Sequence, residues 1–419
     1  MEHFTSFINR IFRGDKVIWV VMAILVSISI VEVFTSTSSF VSPSNGNFMA
    51  QVNKHILTLC IGFAIIQITL LIPFKFYRLA GVGGFVIMLG MLAAVLFLGH
   101  KGNGATRAIM LGGFSIQPSE LIKPFLIVSL STLVAIGKEK SQLWKRLTWI
   151  ISISCTIMIA LIGKENSSSA LMLMAYCLTF LWIINFPWKY WKRMALTVLI
   201  TGVLGATAIF TLGQYTNIGR LGTFKARITR ALEPLPDDPQ AVDLSGENTQ
   251  RNHSNIAIGT SSVFGKGMGK SEIRDYISEG SNDFIYSIIL EETGLVGGLI
   301  VFILYIIIMF RTMRLGYLLC SPFPSYLAIG LGLFIMVQAL TNMFVAVGWM
   351  PVTGQNLPLI SRGGSSALSV SVMFGLIQKL FHEFNQQQHH AQKDEADVSQ
   401  WTGVTEHETL LTPKPQIDD

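Results

Sequence analysis

The chain has 419 residues, of which 51% are hydrophobic and only 13% charged, and its formal net charge is +6. A soluble domain carries about a quarter charged residues, so this composition excludes an ordinary soluble enzyme; apolar runs recur along most of the sequence and indicate a polytopic membrane protein. The positive charge sits mainly in short loops, where it reads as topology and lipid attraction and makes no case for nucleic acid.

Met1 to Lys16 is polar and basic, and the apolar run behind it is long enough to cross a bilayer, so it reads as a signal anchor that stays in place. Hydropathy predicts about ten spans, each near the roughly 20 residues a bilayer needs. They cover 17–36, 55–74, 80–99, 120–137, 146–163, 168–186, 193–212, 284–310, 326–347 and 364–381. The eighth contains Gly294, Gly297 and Gly298 and is expected to bend or to begin as a half-helix. Arg10, Arg13 and Lys16 precede the first span, Lys75 and Arg78 follow the second, and Lys138, Lys140 and Lys145 follow the fourth. Lys189, Lys192 and Arg193 lie between the sixth and seventh, and Arg311 and Arg314 follow the eighth. Alternating spans put all of these on one face, which makes both termini cytoplasmic. The expected organisation is a cytoplasmic N-terminus (1–16), an all-α transmembrane domain (17–381) with one long extracytoplasmic loop (213–282), and a polar, disordered cytoplasmic tail (382–419). Cys60, Cys155, Cys177 and Cys320 form no CxxC pair, so neither a disulfide framework nor a zinc site is suggested.

Four polar clusters fall on the external side of this topology. In the first, Asn103-Gly104-Ala105-Thr106-Arg107 is followed by Gln117-Pro118-Ser119-Glu120-Leu121-Ile122-Lys123. Pro118 suits a helix start, and Glu120 suits the positive end of the helix dipole. One reading is a capped helix with an intrahelical Glu120/Lys123 pair. The other sets Arg107 and Lys123 near a lipid phosphate, because Lys123 lies a turn into apolar sequence. The second cluster runs from Gly259 to Gly269. Its glycines let several N–H groups converge on an anion beside Lys266, or make a plain flexible loop.

The third cluster, from Pro351 through Thr353-Gly354 and Ser361-Arg362-Gly363-Gly364-Ser365-Ser366, cannot be a regular span. Irregular backbone at membrane depth survives only where protein or a polar cavity shelters it. Tight helix packing accounts for Gly364 and Ser365 but not for Arg362. The fourth cluster is Asp283, Glu291 and Glu292. An Asp at a span centre costs roughly 2.5–3.5 kcal/mol on insertion, so such acids face protein, water or a substrate path. The eight residues from Asp283 to Glu291 are about 12 Å of helix rise. A carboxylate there can deprotonate an attacking hydroxyl, or hold a divalent cation against a pyrophosphate.

Taken in order, these clusters resemble the motifs of the SEDS family of cell-wall polymerases, the group containing FtsW and RodA. The matching elements are Asn103 to Arg107, Gln117 to Glu120, Gly265-Lys266-Gly267-Met268-Gly269, Asp283-Phe284-Ile285-Tyr286 with Glu291-Glu292-Thr293-Gly294, and Pro351 to Ser366. The resemblance spans roughly 17–381. It implies a ten-helix glycosyltransferase of the bacterial cytoplasmic membrane that polymerises lipid II onto an undecaprenyl-linked glycan chain. It further implies a class B penicillin-binding protein and other divisome proteins as partners. The look of the final motif favours an FtsW-like division role over a RodA-like elongation role; a lipid II flippase is the rival from another class.

The family's essential acid falls on Asp283, as base or as ligand to Mg²⁺ or Mn²⁺, and no organic cofactor is implied. Arg107, Lys123, Lys266 and Arg362 are the implied pyrophosphate cations, with Glu120, Glu291, Ser361 and Ser365 as further substrate-binding candidates. The sequence departs from the family's pattern at Asn166, where an acid is usual, at Ala108, where tryptophan is usual, at His253, where glutamine is usual, and at Arg362, where tyrosine is common.

Overall fold

A computed structural model describes residues 11–38, 48–98, 100–102, 105–111, 114–165, 167–207, 249–271 and 284–402. The helices are α1 (Lys16–Ser38), α2 (Phe48–Leu71), α3 (Phe74–Leu98), α4 (Pro118–Glu139), α5 (Trp144–Glu165), α6 (Ser167–Ile183), α7 (Trp188–Thr207), α8 (Thr249–Thr260), α9 (Ile285–Leu318), α10 (Pro322–Ala346) and α11 (Gly364–Thr402). Among the described residues, eight are long and apolar enough to cross a membrane; α6 is apolar but shorter. The α6 and α7 helices stand where the sixth and seventh spans were expected. Prolines set several boundaries. Pro118 and Pro322 occupy the first turns of α4 and α10, where a missing N–H costs nothing.

Burial separates inner from outer helices. The spans of α4, α10 and α11 are each 78% buried, whereas that of α3 is only 17% buried. Val86, Ile87, Leu79 and Trp149 are exposed apolar side chains on the outer helices, which suits a surface solvated by lipid rather than water. Between α3 and α4 the chain forms a small antiparallel sheet, β1 (His100–Gly102), β2 (Ala105–Leu111) and β3 (Phe114–Ile116), in the order β1-β2-β3. The all-α expectation did not include it, although Asn-Gly between two short runs is a strong hairpin signal.

Two helices differ from their expected bounds. The eighth span was expected to end near 310, but α9 continues to Leu318. The last was expected to end near 381 with a disordered tail beyond. Instead α11 continues to Thr402, and of the expected tail 403–419 lie outside the described residues. Residues 382–402 contain neither Gly nor Pro and are rich in Gln, a residue that favours helix although it is polar. The break in α9 falls at Gly294, whose φ of 73° and ψ of −171° are not helical.

The most unusual part of the fold is the segment joining α10 to α11. It has no regular secondary structure at its centre, yet Thr353, Gln355, Leu357, Leu359, Ile360 and Ser361 are buried. Its carbonyls therefore need partners from elsewhere. Asn342 Nδ2 donates to the Gln355 carbonyl at 2.7 Å, and Gln338 Nε2 to that of Asn356 at 2.9 Å. The Tyr305 hydroxyl donates to the Pro358 carbonyl at 2.5 Å, and the Ser29 hydroxyl to that of Ile360 at 2.7 Å. Three helices thus supply the donors that a regular helix would supply from within. Asn342→Leu, which leaves a buried carbonyl without its donor, is expected to cost about 1–3 kcal/mol, read as a lower thermal midpoint of the purified protein. Thr341→Ala, one residue away but bonded only within its own helix, should fall by much less.

Candidate functional site

The start of α4 and the buried segment meet through a chain of polar contacts. Lys123 is 1% exposed. Its Nζ lies 2.6 Å from Glu120 Oε1 and 3.2 Å from Gln355 Oε1. Gln355 Nε2 in turn donates to Ser169 Oγ on α6 at 2.5 Å. The intrahelical Glu120/Lys123 pair of the first reading is present, although no side chain caps the start of α4: the ammonium is engaged by Glu120 and Gln355 rather than presented at a surface. Ser365 Oγ accepts from the Gln117 backbone N–H at 3.0 Å, which ties the start of α11 to that of α4. Pro124 cannot donate to the Glu120 carbonyl four residues earlier, and the Ser369 hydroxyl donates to it at 2.8 Å instead. A local defect in α4 becomes a bond to α11.

Ser361 Oγ accepts from the Leu357 N–H at 2.7 Å and closes a turn inside the buried segment. Arg362 is half-buried, and its Nη1 donates to Gln51 Oε1 on α2 at 2.8 Å, so this contact leaves the guanidinium charge without an acid opposite it.

A second group forms around the break in α9. In an unbroken helix the Val296 N–H would bond the Glu292 carbonyl. Here it donates to the Val263 carbonyl at 3.2 Å, while the Lys266 and Gly267 N–H groups bond the Glu291 and Glu292 carbonyls, each at 2.9 Å. This close approach needs glycine on both sides. Gly265 and Gly294 have φ of 74° and 73°, and a Cβ on either would sit 2.3 Å from a carbonyl oxygen of the other segment. The glycine run is therefore a docked turn, neither a loose loop nor a free anion cradle.

Glu291 is fully buried, with Oε1 2.8 Å from Lys266 Nζ and Oε2 2.5 Å from Ser271 Oγ. Glu292 is also buried, and on α1 the buried Glu32 lies within its electrostatic reach. Glu32 was not among the residues singled out from sequence. A lone acid near the end of the first apolar run was the available signal.

The α8 helix bridges the two groups. Ser254 Oγ is 2.6 Å from Ser287 Oγ on α9 and donates to the Ala346 carbonyl at the end of α10 at 2.7 Å. His253 beside it is buried, and burial holds its imidazole below the ordinary histidine value. Phe284 is fully buried with Ala257 and Val345, and Ile256 and Val352 pack onto them. Asp283 itself lies outside the described residues, as does Asn166. Arg107 belongs to β2, and its side chain is likewise outside what is described. The residue after Asp283 is thus anchored beside the entry to the buried segment.

The fold and site together define a polytopic helical membrane protein with a buried polar site at one end of its bundle. Residues 15–386 match the model of a family described as cell cycle protein, FtsW/RodA/SpoVE, and the chain belongs to that family. A probable peptidoglycan glycosyltransferase FtsW of Halorhodospira halophila is 29% identical over 92% of this chain and 94% of its own length. Another of that name, from Synechocystis, is 30% identical over 90% of each chain. Among solved structures, a chain from a peptidoglycan synthase complex that coordinates polymerization and crosslinking aligns with a TM-score of 0.66 at 21% identity, covering 88% of this chain and 98% of that one. The rod shape determining protein RodA of Thermus thermophilus aligns at 0.59 and 19% identity, over 88% and 97%.

Two variants test this geometry. Lys123→Met leaves Glu120 charged and without its ammonium, and is expected to cost about 3–5 kcal/mol; adding Glu120→Gln should recover much of that loss, read as thermal midpoints in a double-mutant cycle. Gly265→Ala forces a Cβ into the Glu292 carbonyl at a left-handed φ and should lower the midpoint by more than Gly259→Ala, whose Cβ would meet nothing.

Proposed function

We propose that the protein is a peptidoglycan glycosyltransferase that polymerises lipid II at the outer face of the bacterial cytoplasmic membrane, in septal wall synthesis. The carrying observation is the immobilised segment at one end of the bundle. It holds Arg362 on a neutral amide, and its entry at Val352 packs beside Phe284, the residue that follows Asp283 in the chain. Family membership across 15–386 and the names of the relatives support the chemistry. Lys138, at the opposite end of α4 from Glu120, supports an orientation with both termini in the cytoplasm. A class B penicillin-binding protein is the proposed partner, together with other divisome proteins; the similar chain from a complex that couples polymerization to crosslinking supports that choice.

In the proposed reaction, Asp283 takes the proton from the 4-hydroxyl of an incoming lipid II sugar. The oxygen bonds the anomeric carbon of the lipid-linked chain, and undecaprenyl pyrophosphate leaves with the bonding pair. Arg362 and Arg107 are assigned to the charge that grows on the leaving diphosphate. Lys266 and Lys123 act mainly through the carboxylates they engage, and Ser361 and Ser365 hold the segment and the start of α11 in place. Among the described residues no group of three or more His, Cys, Asp or Glu side chains could hold a metal ion. A single carboxylate suits Mg²⁺ or Mn²⁺ only where substrate phosphates and water complete the shell. Asp283 would be the protein ligand, and the cation would neutralise the diphosphate.

Purified protein incubated with labelled lipid II, with and without its partner, should form glycan strands. Asp283→Asn should insert normally and polymerise at least about 100-fold more slowly, the lower range for loss of a general base. Normal strand formation by that variant would remove Asp283 from the mechanism. Movement of lipid II across the bilayer without product chains would support transport instead.

A further inference from the structure

The segment that carries Arg362 rests on α2 through two side chains one helical turn apart. Gln51 accepts from Arg362. Four residues on, His55 Nε2 lies 2.8 Å from Ser29 Oγ, the same hydroxyl that donates to the Ile360 carbonyl. Positions i and i+4 share a helix face, so Gln51 and His55 form two rungs beneath residues 360–362. A carbonyl oxygen only accepts, so the Ser29 proton belongs to Ile360. The Ser29 oxygen must then accept from His55 Nε2–H, which fixes the arrangement of the imidazole. Ser29 and His55 are 0% and 5% exposed, so water is no substitute partner for either.

The backbone here needs holding. Leu359 has a φ of 65°, a left-handed conformation that costs a side-chain-bearing residue on the order of 1–3 kcal/mol and persists only where its surroundings impose it. Tyr305 grips the carbonyl before Leu359, and the Ser29–His55 pair grips the one after it. Arg362 is two residues beyond that second grip. Any slack at Ile360 moves the guanidinium. A histidine inside an intramembrane helix is itself costly and marks function by default.

We infer that His55 is a positioning residue: through Ser29 and Ile360, with Gln51 as the second rung, it sets where the Arg362 guanidinium stands. This rests on the proposed reading of Arg362 as a contact of the leaving diphosphate. The interaction is built from a residue on α1, one on α2 and the buried segment, so it also fixes the spacing of the first two helices against the site.

The test is steady-state polymerisation of labelled lipid II by the full chain, with melting curves as the folding control. His55→Leu keeps the volume and loses the donor. It should lower kcat by roughly ten- to a hundredfold with KM within about twofold, the signature of a misplaced transition-state contact. His55→Gln, whose amide can donate to Ser29, should recover most of the rate. In an Arg362→Ala background, His55→Leu should add no further loss, because its target is already gone. Should His55→Leu fail to fold, Gln51→Leu at an exposed position carries the test and should show the same fall in kcat. Wild-type kcat in the folded variant or an undiminished further loss in Arg362→Ala overturns the inference while leaving the proposed function standing; full activity of Arg362→Ala alone overturns the inference and removes Arg362 from the proposed reaction, with the polymerase reading intact. A wild-type chain that makes no strands overturns both.

Discussion

The structure depends on satisfying irregular backbone inside a helical bundle. Most of residues 353–361 are buried without forming a helix, and each orphaned carbonyl there would cost free energy comparable to a lost hydrogen bond. Asn342, Gln338, Tyr305 and Ser29 remove that cost one carbonyl at a time. The same requirement recurs at the break in α9, where the turn at 263–267 takes up the Glu291 and Glu292 carbonyls, and at Pro124, where Ser369 replaces a missing N–H. In each place the backbone departs from helix and a side chain or amide from another segment completes it.

This has a consequence for the charges. Lys123 and Lys266 stand beside Glu120 and Glu291, and each acid is itself bonded into an irregular segment or a helix start. Their first task is to let carboxylates exist in a poorly solvated place, where an unpaired ion is far more costly than a paired one. Arg362 differs because its described hydrogen bond is to a neutral amide and it is half-buried. In the proposed reaction, that difference separates cations that build the site from the one assigned to the leaving diphosphate. The opposite end of the bundle shows the structural use again: Asp15 pairs with Arg311, and its N–H donates to Gln378, so α1, α9 and α11 are joined there too.

Much of the architecture was legible in the sequence. Hydropathy is a local property, and a bilayer imposes a minimum length on any apolar run that crosses it, so eight of the expected spans appear among the described residues as helices long and apolar enough to cross. The break at Gly294 was foreseeable because glycine is the residue that permits a left-handed turn inside an apolar helix. The three-stranded sheet and the helical continuation of α11 were missed for a shared reason. Polarity was taken to mean irregular structure, whereas Gln, Lys and Glu are good helix formers and Asn103-Gly104 was a turn signal read as part of a binding cluster.

What the sequence determined by itself was the membrane character, the succession of spans, the family motifs and the positions where regular backbone must fail. Only the tertiary structure decided which groups repair those failures. Ser29 and Ile360 are 331 residues apart, and Gln355 and Ser169 are 186 apart; nothing in a local pattern couples such positions. Hydrophobic periodicity depends on neighbours along the chain, while satisfying a buried polar group depends on neighbours in space, and the second is settled only once the helices have packed.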